Sequence, residues 1–280
     1  MEKNRTALIT GASSGIGLEL TRNLLRENWH VVALNRSSYP MEDQFLLRAT
    51  RERRLREYRA DLTDFKQLKQ ALAFIQTEES HLDLLFNNAG ASLPDLRYSP
   101  QGRELHYELQ TVVPYIILME LKDLLKKGEQ RVVINTSTNA FATLKDFHAN
   151  ALERPNGFKK LFGPYAASKL ALSLWAREAA PRLAEEGITI RSVDPGGNNT
   201  INKKNQSGLP ILLRPVMKLF FSPPTKGAGL LYDAALIRYG ESSGIYLKKG
   251  RASELRFIEQ GAEVLAKVDA IYRNEYIHLA

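Results

Sequence analysis

The sequence predicts an α/β fold: a doubly wound parallel sheet of about seven strands with helices on both faces. Short apolar runs alternate with longer amphipathic segments along the chain. A glycine-rich turn follows the first apolar run and opens the first amphipathic segment. Such alternation implies parallel strands joined by right-handed helical crossovers. With 280 residues, we expect a single domain over 1–280.

The expected elements follow from this alternation. Strands are expected near 6–10, 30–35, 55–60, 83–87, 131–136, 188–193 and 244–247. Helices are expected near 15–27, 41–51, 64–78, 101–126, 165–186, 225–239 and 253–274.

Two stretches, 139–163 and 197–224, fall outside this regular pattern and carry many apolar residues. Long loops beside a ligand-binding edge often form substrate walls or lids. We expect an insertion at 139–163 and a substrate lid at 197–224. The alternative is that both merely cover the core or an oligomer interface.

The first motif is the turn from Thr10 to Gly17, with glycines in a Gly-x-x-x-Gly-x-Gly pattern. Gly11 permits a tight turn, Gly15 lets backbone approach a phosphate, and Gly17 allows helix and strand to pack closely. A helix N-terminus after such a turn binds a pyrophosphate. The turn therefore predicts a dinucleotide site, the alternative being an ordinary strand-to-helix turn.

Cofactor choice is predicted from the end of the second strand, which reads Asn35, Arg36, Ser37. An NAD site places an acidic residue near this position to bind the ribose hydroxyls. Here there is no carboxylate, and the Arg36 guanidinium suits a phosphate instead. We therefore predict NADP(H) in preference to NAD(H), the alternative being that Arg36 is an exposed loop residue.

Tyr165 and Lys169 are four residues apart, which places them on one face of a helix, about one turn apart. A free tyrosine has a pKa of about 10, and lowering it to about 7 requires roughly 4 kcal/mol of differential stabilisation. A neighbouring ammonium favours the phenolate. The pair therefore predicts proton transfer, although the same spacing also occurs in ordinary helix-surface pairs.

Small and hydroxyl residues end three other predicted strands. Asn88, Ala89 and Gly90 follow one run, the segment 135–138 ends another, and Pro195–Gly196 follows a third. Ligands bind at the carboxyl ends of strands in open parallel sheets. We expect these residues to meet at that edge.

Together these motifs resemble the short-chain dehydrogenase/reductase family, in particular its retinol-dehydrogenase-like members, over Thr6 to about Leu247. The resemblance implies a Rossmann-type fold. It implies Tyr165 as general acid/base and Lys169 as the residue that holds the nicotinamide ribose and lowers the tyrosine pKa. It also implies a serine after the fifth strand that bonds the substrate oxygen, and a helix asparagine that supports a proton-relay water.

Two positions depart from the family pattern. Thr138 stands where the catalytic serine belongs, and its hydroxyl can still donate a hydrogen bond. Ser137 is the neighbouring hydroxyl, so both remain candidates. Gln110 occupies the position of the relay asparagine and carries the same amide one methylene further out.

The resemblance also implies cofactor contacts by Asp61 and Leu62 near the adenine and by Thr200 at the carboxamide. The full predicted cofactor site is Gly11, Ser13, Ser14, Gly15, Ile16, Gly17, Asn35, Arg36, Ser37, Asp61, Leu62, Asn88, Ala89, Gly90, Tyr165, Lys169, Pro195, Gly196 and Thr200.

These residues predict an NADP(H)-dependent oxidoreductase. It would transfer hydride between the nicotinamide and a carbonyl or alcohol carbon of a hydrophobic small molecule. The alternative is a catalytically weak NADP(H)-binding sensor or interaction protein of the same fold, suggested by the changes at 110 and 138.

Composition narrows the other classes. The absence of cysteine excludes disulfides and thiolate chemistry, and the five scattered histidines predict no metal site. The net charge of +8 includes a basic run over 48–59, which we interpret as a solvated surface, and we do not expect specific nucleic-acid binding.

Without an apolar N-terminal stretch we expect a cytoplasmic protein. Arg214 and Lys218 among apolar neighbours leave a peripheral membrane contact open. The resemblance implies pairing through the helices after the fourth and fifth strands, with monomer, dimer and tetramer left open.

Overall fold

One eight-stranded sheet forms the centre of the computed structural model, which describes residues 4–40, 42–197, 222–236 and 242–279. The strands are β1 (Thr6–Thr10), β2 (His30–Asn35), β3 (Leu55–Arg59), β4 (Leu84–Asn87), β5 (Val132–Thr136), β6 (Thr189–Asp194), β7 (Ile245–Lys248) and β8 (Arg251–Ser253). Their order is β3-β2-β1-β4-β5-β6-β7-β8. The first seven are parallel, and β8 is antiparallel to β7.

Helices cover both faces of this sheet. They are α1 (Gly15–Arg26), α2 (Gln44–Arg51), α3 (Phe65–Glu78), α4 (Leu105–Tyr107), α5 (Val113–Lys126), α6 (Pro164–Glu185), α7 (Pro224–Leu236) and α8 (Gly261–Ile271). A π-helical turn, Glu108–Val112, joins α4 to α5, and a second one, Tyr272–Tyr276, follows α8.

Two apolar cores result, one on each face of the sheet. In β2, Val31 and Ala33 face the core under α1, α2 and α7, whereas Val32 and Leu34 face the core under α3, α5, α6 and α8. Successive side chains of a strand point to opposite faces, and both faces are covered here. This is why the central strands read as continuous apolar runs instead of alternating with polar residues.

The predicted fold class is confirmed, with differences at element boundaries. The second helix begins at Gln44 because the Asp43 carboxylate caps it by accepting from the amides of Phe45 and Leu46. The fourth helical segment begins at Leu105, after Glu104, and contains the π turn. The last α-helix begins at Gly261 instead of near residue 253. Strand β8 was not predicted because it has three residues, all exposed, and no apolar pattern.

The insertion 139–163 joins the core in part. Phe141, Phe147 and Leu152 are buried, whereas Phe162 is exposed. The first half of the insertion therefore packs on the core. Of the segment 197–224, residues 198–221 lie outside the described residues, and with them Thr200, Arg214 and Lys218.

The C-terminal segment packs on the outer side of α5 and α6. Helix α8 lies along α6, and the Tyr115 hydroxyl donates to Asp269 at 2.7 Å. The Tyr272 hydroxyl donates to Glu120 at 2.9 Å. The helices through which the resemblance implied subunit pairing are thus partly covered by the chain itself.

Ion pairs of Arg103 link the first π turn, at Glu108, to the second π turn, at Glu275. The Arg103 guanidinium donates to Glu108 at 2.5 Å and to Glu275 at 2.7 Å. Arg103 and Glu108 are 5% and 0% exposed. Removing the guanidinium would leave the Glu108 carboxylate buried without its partner.

We expect Arg103→Ala to lower the free energy of unfolding by about 3–5 kcal/mol, because an uncompensated buried charge is costly. Arg97→Ala is the matched control: Arg97 pairs with Asp95 on the surface, and we expect a loss below about 1 kcal/mol. Urea unfolding of the three proteins measures both. If both variants lost the same free energy of unfolding, burial of the Arg103–Glu108 pair would not explain its contribution.

Candidate active site

The carboxyl ends of β1, β4, β5 and β6 lie side by side and bring the sequence motifs together. Asn87 pairs with Asn135 across β4 and β5, and Thr136 pairs with Val193 across β5 and β6. The residues that follow these positions therefore share one edge of the sheet.

The glycine-rich turn is packed too tightly for side chains. A Cβ on Gly17 would lie 2.2 Å from the Gly11 carbonyl oxygen and 2.7 Å from Asn88 Nδ2. Gly11 itself has a φ of +66°, in the left-handed region. Only glycine is compatible with this approach of helix α1 to the strand.

Thr10 joins this turn to the next motif. Its hydroxyl oxygen accepts from the amides of Asn88 at 3.0 Å and Ala89 at 2.9 Å. Asn88 Nδ2 in return donates to the carbonyls of Thr10 and Gly11 at 3.1 and 3.3 Å. This role of Thr10 was not predicted; a hydroxyl residue at the end of a strand, just before a glycine-rich turn, is the signal that could have indicated it.

The N-terminus of α1 fits a pyrophosphate. Ser14, at the N-cap, is extended and makes no side-chain cap, so no side chain satisfies the first-turn amides in the way that Asp43 does for α2. Ser13 and Ile16 are half-buried in the same turn. Uncapped amides over a glycine cradle suit a phosphate anion.

Asn35 lies beneath the turn, with its Oδ1 accepting from the Ala12 amide at 2.6 Å. The next two residues, Arg36 and Ser37, are exposed, and Arg36 makes no ion pair with any described residue. The Asp61 carboxylate accepts from the amide and hydroxyl of Thr63, and Leu62 is buried. Asn35 therefore shapes the turn, while Arg36 and Ser37 are available at its rim.

The hydroxyls of Thr138 and Ser137, the two candidates, have different neighbours. The Thr138 hydroxyl lies within hydrogen-bonding reach of the Tyr165 phenol. Ser137 instead bonds Ser173 Oγ at 2.8 Å, inside the core. The structure therefore brings Thr138, and not Ser137, to Tyr165.

Lys169 is buried, and its Nζ donates to the Thr136 carbonyl at 2.6 Å. Burial lowers the pKa of Lys169 to about 7. Burial also raises the pKa of Tyr165, against the lowering effect of the Thr138 hydrogen bond, and the charge of Asp194 raises it further. This differs from the expectation that Lys169 lowers the phenol pKa: desolvation favours the neutral form of both groups.

Gln110 lies in the π turn between Gly90 and helix α6. Its Nε2 is 3.5 Å from Ser168 Oγ, which donates to the Tyr165 carbonyl at 2.8 Å. Its buried Oε1 has no hydrogen-bond partner among the described residues. A Cβ on Gly90 would lie 2.7 Å from that oxygen. The Gln110 amide therefore reaches helix α6, which carries Tyr165, and retains one unused acceptor.

Asp194 holds two loops at the same edge. Its carboxylate accepts from the Gly196 amide at 3.0 Å and from the amide of Asn139. Pro195 lies between Asp194 and Gly196 in the chain. Asp194 was not singled out from the sequence, although an aspartate two residues before a glycine is typical of an Asx turn.

Within the described residues, no cluster of three or more His, Asp or Glu side chains could hold a metal ion. Among the helices in that part of the chain, none is both long enough and apolar enough to cross a bilayer.

Comparisons with known proteins agree with this geometry. The short chain dehydrogenase family model matches residues 5–149. Retinol dehydrogenase 12 of Mus musculus is 30% identical over 83% of this chain and 73% of its own length. Polyprenol dehydrogenase of Danio rerio is 27% identical over 90% and 81%. L-sorbose reductase of Gluconobacter frateurii, solved with NADPH and L-sorbose, superposes with a TM-score of 0.66 at 19% identity, over 88% of this chain and 95% of that chain.

The lowered pKa of Lys169 makes a prediction about stability. Between pH 7 and 10.5 the unfolded chain binds this proton and the folded chain does not, so stability rises with pH in that window. Relative to Lys169→Met, the wild type should gain about 3 kcal/mol of unfolding free energy from pH 6.5 to 9.5. Urea unfolding across that range measures the difference. A pH-independent difference between the two proteins would show that Lys169 is charged in the fold.

Proposed function

The chain belongs to the short-chain dehydrogenase family, and from that premise we propose that this oxidoreductase is NADP(H)-dependent. It transfers hydride between the nicotinamide and a carbonyl or alcohol carbon of a hydrophobic substrate. The single observation that carries the proposal is that the Thr138 hydroxyl lies within hydrogen-bonding reach of the Tyr165 phenol, one helical turn before buried Lys169.

The cofactor would be bound along the carboxyl edge of the sheet. The glycine-rich turn and the first turn of α1 would bind the pyrophosphate, and Arg36 with Ser37 the 2′-phosphate. Lys169 would hold the nicotinamide ribose. When bound, the dinucleotide supplies or accepts the hydride at its nicotinamide ring.

The side chains of this protein would bind the substrate oxygen and transfer its proton. In the direction of reduction, Thr138 and Tyr165 donate hydrogen bonds to the carbonyl oxygen, and Tyr165 gives up its proton as negative charge develops there. The raised pKa of Tyr165 keeps the phenol protonated, as an acid must be before reduction. The charged form of Lys169 favours the phenolate that results. The Gln110 side-chain oxygen, which has no hydrogen-bond partner among the described residues, would support a relay that returns the proton.

Two observations support an apolar substrate. Phe158 and Leu161 are half-buried and Phe162 is exposed just before the catalytic helix. Relatives in the comparison are named for retinol and polyprenol, which are long apolar alcohols. An apolar alcohol or the corresponding aldehyde is therefore the substrate class we propose. A cofactor-binding sensor remains the second candidate, because Thr138 and Gln110 replace the residues that the family pattern places there.

Cofactor choice can be tested at Arg36. Arg36→Ala should raise the Kd for NADPH by about 10-fold to 100-fold, since a charge-assisted phosphate contact is lost. The Kd for NADH should change by less than about twofold, because NADH lacks that phosphate. Arg51→Ala, another exposed arginine, is the control and should leave both values unchanged. Nicotinamide fluorescence measures the six titrations, two nucleotides on each of the three proteins, and an equal loss for both nucleotides in Arg36→Ala would refute the assignment.

The two hydroxyls provide a test of the reaction itself. Thr138→Val should lower kcat/KM on apolar aldehydes by about 100-fold to 1,000-fold, because a donor to the developing charge is removed. Thr138→Ser should keep most of the activity. Ser137→Ala removes a hydroxyl one residue away that faces the core, and should leave kcat/KM within about threefold. Activity lost in Ser137→Ala and kept in Thr138→Val would overturn the mechanism.

A further inference from the structure

His106, on the short helix α4, is packed directly against Tyr165. The two rings meet edge to face, with centroids 5.8 Å apart and an interplanar angle of 82°. On the other side, Phe158 of the insertion stacks on the imidazole at 6.4 Å and 23°. His106 is 1% exposed, so its ring packs against Tyr165 inside the protein and is closed to solvent.

Both nitrogens of His106 are hydrogen-bonded, and the partners define its protonation. The Leu93 amide lies 3.0 Å from Nε2, and a backbone amide can only donate, so Nε2 is an acceptor. The proton is therefore on Nδ1, which donates to Glu104 Oε1 at 2.6 Å. The imidazole is neutral in this arrangement, with one defined tautomer.

Glu104 is itself held in place. It is fully buried, and its second carboxylate oxygen accepts from the Tyr107 amide at 2.9 Å as the N-cap of α4. Its own amide donates to the Glu153 carbonyl at 2.9 Å. The ring of His106 is thus oriented by a buried carboxylate whose two oxygens are both hydrogen-bonded.

These contacts make His106 the meeting point of four segments of the site. They are the loop after Gly90, the start of the helical segment that carries Gln110, the insertion at Phe158, and the catalytic helix at Tyr165. The first of these segments continues from the Asn88–Gly90 turn, which Thr10 ties to the cofactor loop. A shift of the imidazole would therefore move both the Tyr165 phenol and the backbone at Leu93.

We propose that His106, oriented by Glu104, is a positioning residue that fixes the Tyr165 ring through its edge and the loop after Gly90 through the Leu93 amide. Its catalytic consequence rests on the proposed function, whereas its contact with Leu93 does not. Small misplacements of an acid cost large factors in rate, so the ring contact acts on kcat. The loop contact acts on substrate binding, because that loop leaves the carboxyl edge beside Gly90.

Two variants separate the two contacts. His106→Phe keeps a ring against Tyr165 and Phe158 but removes the acceptor for Leu93. His106→Gln keeps an acceptor at similar reach but removes the ring. Two measurements are made on each: exchange of the Leu93 amide by NMR in the protein without cofactor or substrate, and kcat and KM with NADPH and an apolar aldehyde.

The expected result is a crossed pattern. In His106→Phe, the Leu93 amide exchanges at least about 10-fold faster and KM rises by about fivefold or more, with kcat less affected. In His106→Gln, the amide stays protected and KM stays near the wild-type value, while kcat falls by about 10-fold.

His81→Phe is the matched control. His81 is also buried and bonded at both nitrogens, to Ser80 and to the Asn4 carbonyl, but it precedes β4 and so lies at the opposite edge of the sheet. It should lower stability without changing kcat, KM or exchange at Leu93.

The proposal fails if both His106 variants fold and stay within about twofold of wild type in kcat and KM, or if their losses equal those of His81→Phe. If His106→Phe does not fold, His106→Gln decides alone: unchanged kcat overturns the ring contact, and about a 10-fold loss at constant KM supports it. If the wild type has no turnover, the proposed function fails, and exchange at Leu93 still tests the loop contact.

Discussion

The hydrogen bond from Lys169 Nζ to the Thr136 carbonyl is the interaction on which the arrangement of the site depends. It ties helix α6, which carries Tyr165, to the end of β5 inside the protein. Thr138 follows two residues after the acceptor, and Tyr165 lies one turn before the donor, so both hydroxyls are brought to one place. The same burial lowers the pKa of Lys169 to about 7, which makes its charge sensitive to whatever binds beside it.

A second set of bonds builds the cofactor side of the same edge. Thr10 joins the glycine-rich turn to the Asn88–Gly90 turn, and Asn35 supports the first turn from below through the Ala12 amide. The packing at Gly17 leaves no room for a side chain. Backbone amides at the start of α1 are therefore presented to a ligand by a scaffold of buried hydrogen bonds, and the protein supplies position more than reactive groups.

Most of the fold could be predicted from the sequence because strand and helix periodicities are local. The alternation of elements and the order of the motifs gave the fold class, whereas β8 is too short and exposed to carry a pattern. The different orientations of the Thr138 and Ser137 hydroxyls could not be predicted, because Ser137 bonds Ser173, a residue remote in sequence. The raised pKa of Tyr165 follows from burial, and His106 gains its role from Leu93 and Phe158, both beyond its own helix.

The most direct test of the central claim is a titration of the purified protein with NADPH and with NADH, followed by a panel of aldehydes and ketones, on the wild type and on Tyr165→Phe. The account predicts selective binding of NADPH to both proteins, by nicotinamide fluorescence, and oxidation of NADPH by the wild type alone. Binding of neither nucleotide would contradict the assignment of the site. Equal consumption by the Tyr165→Phe variant would contradict the role of the phenol.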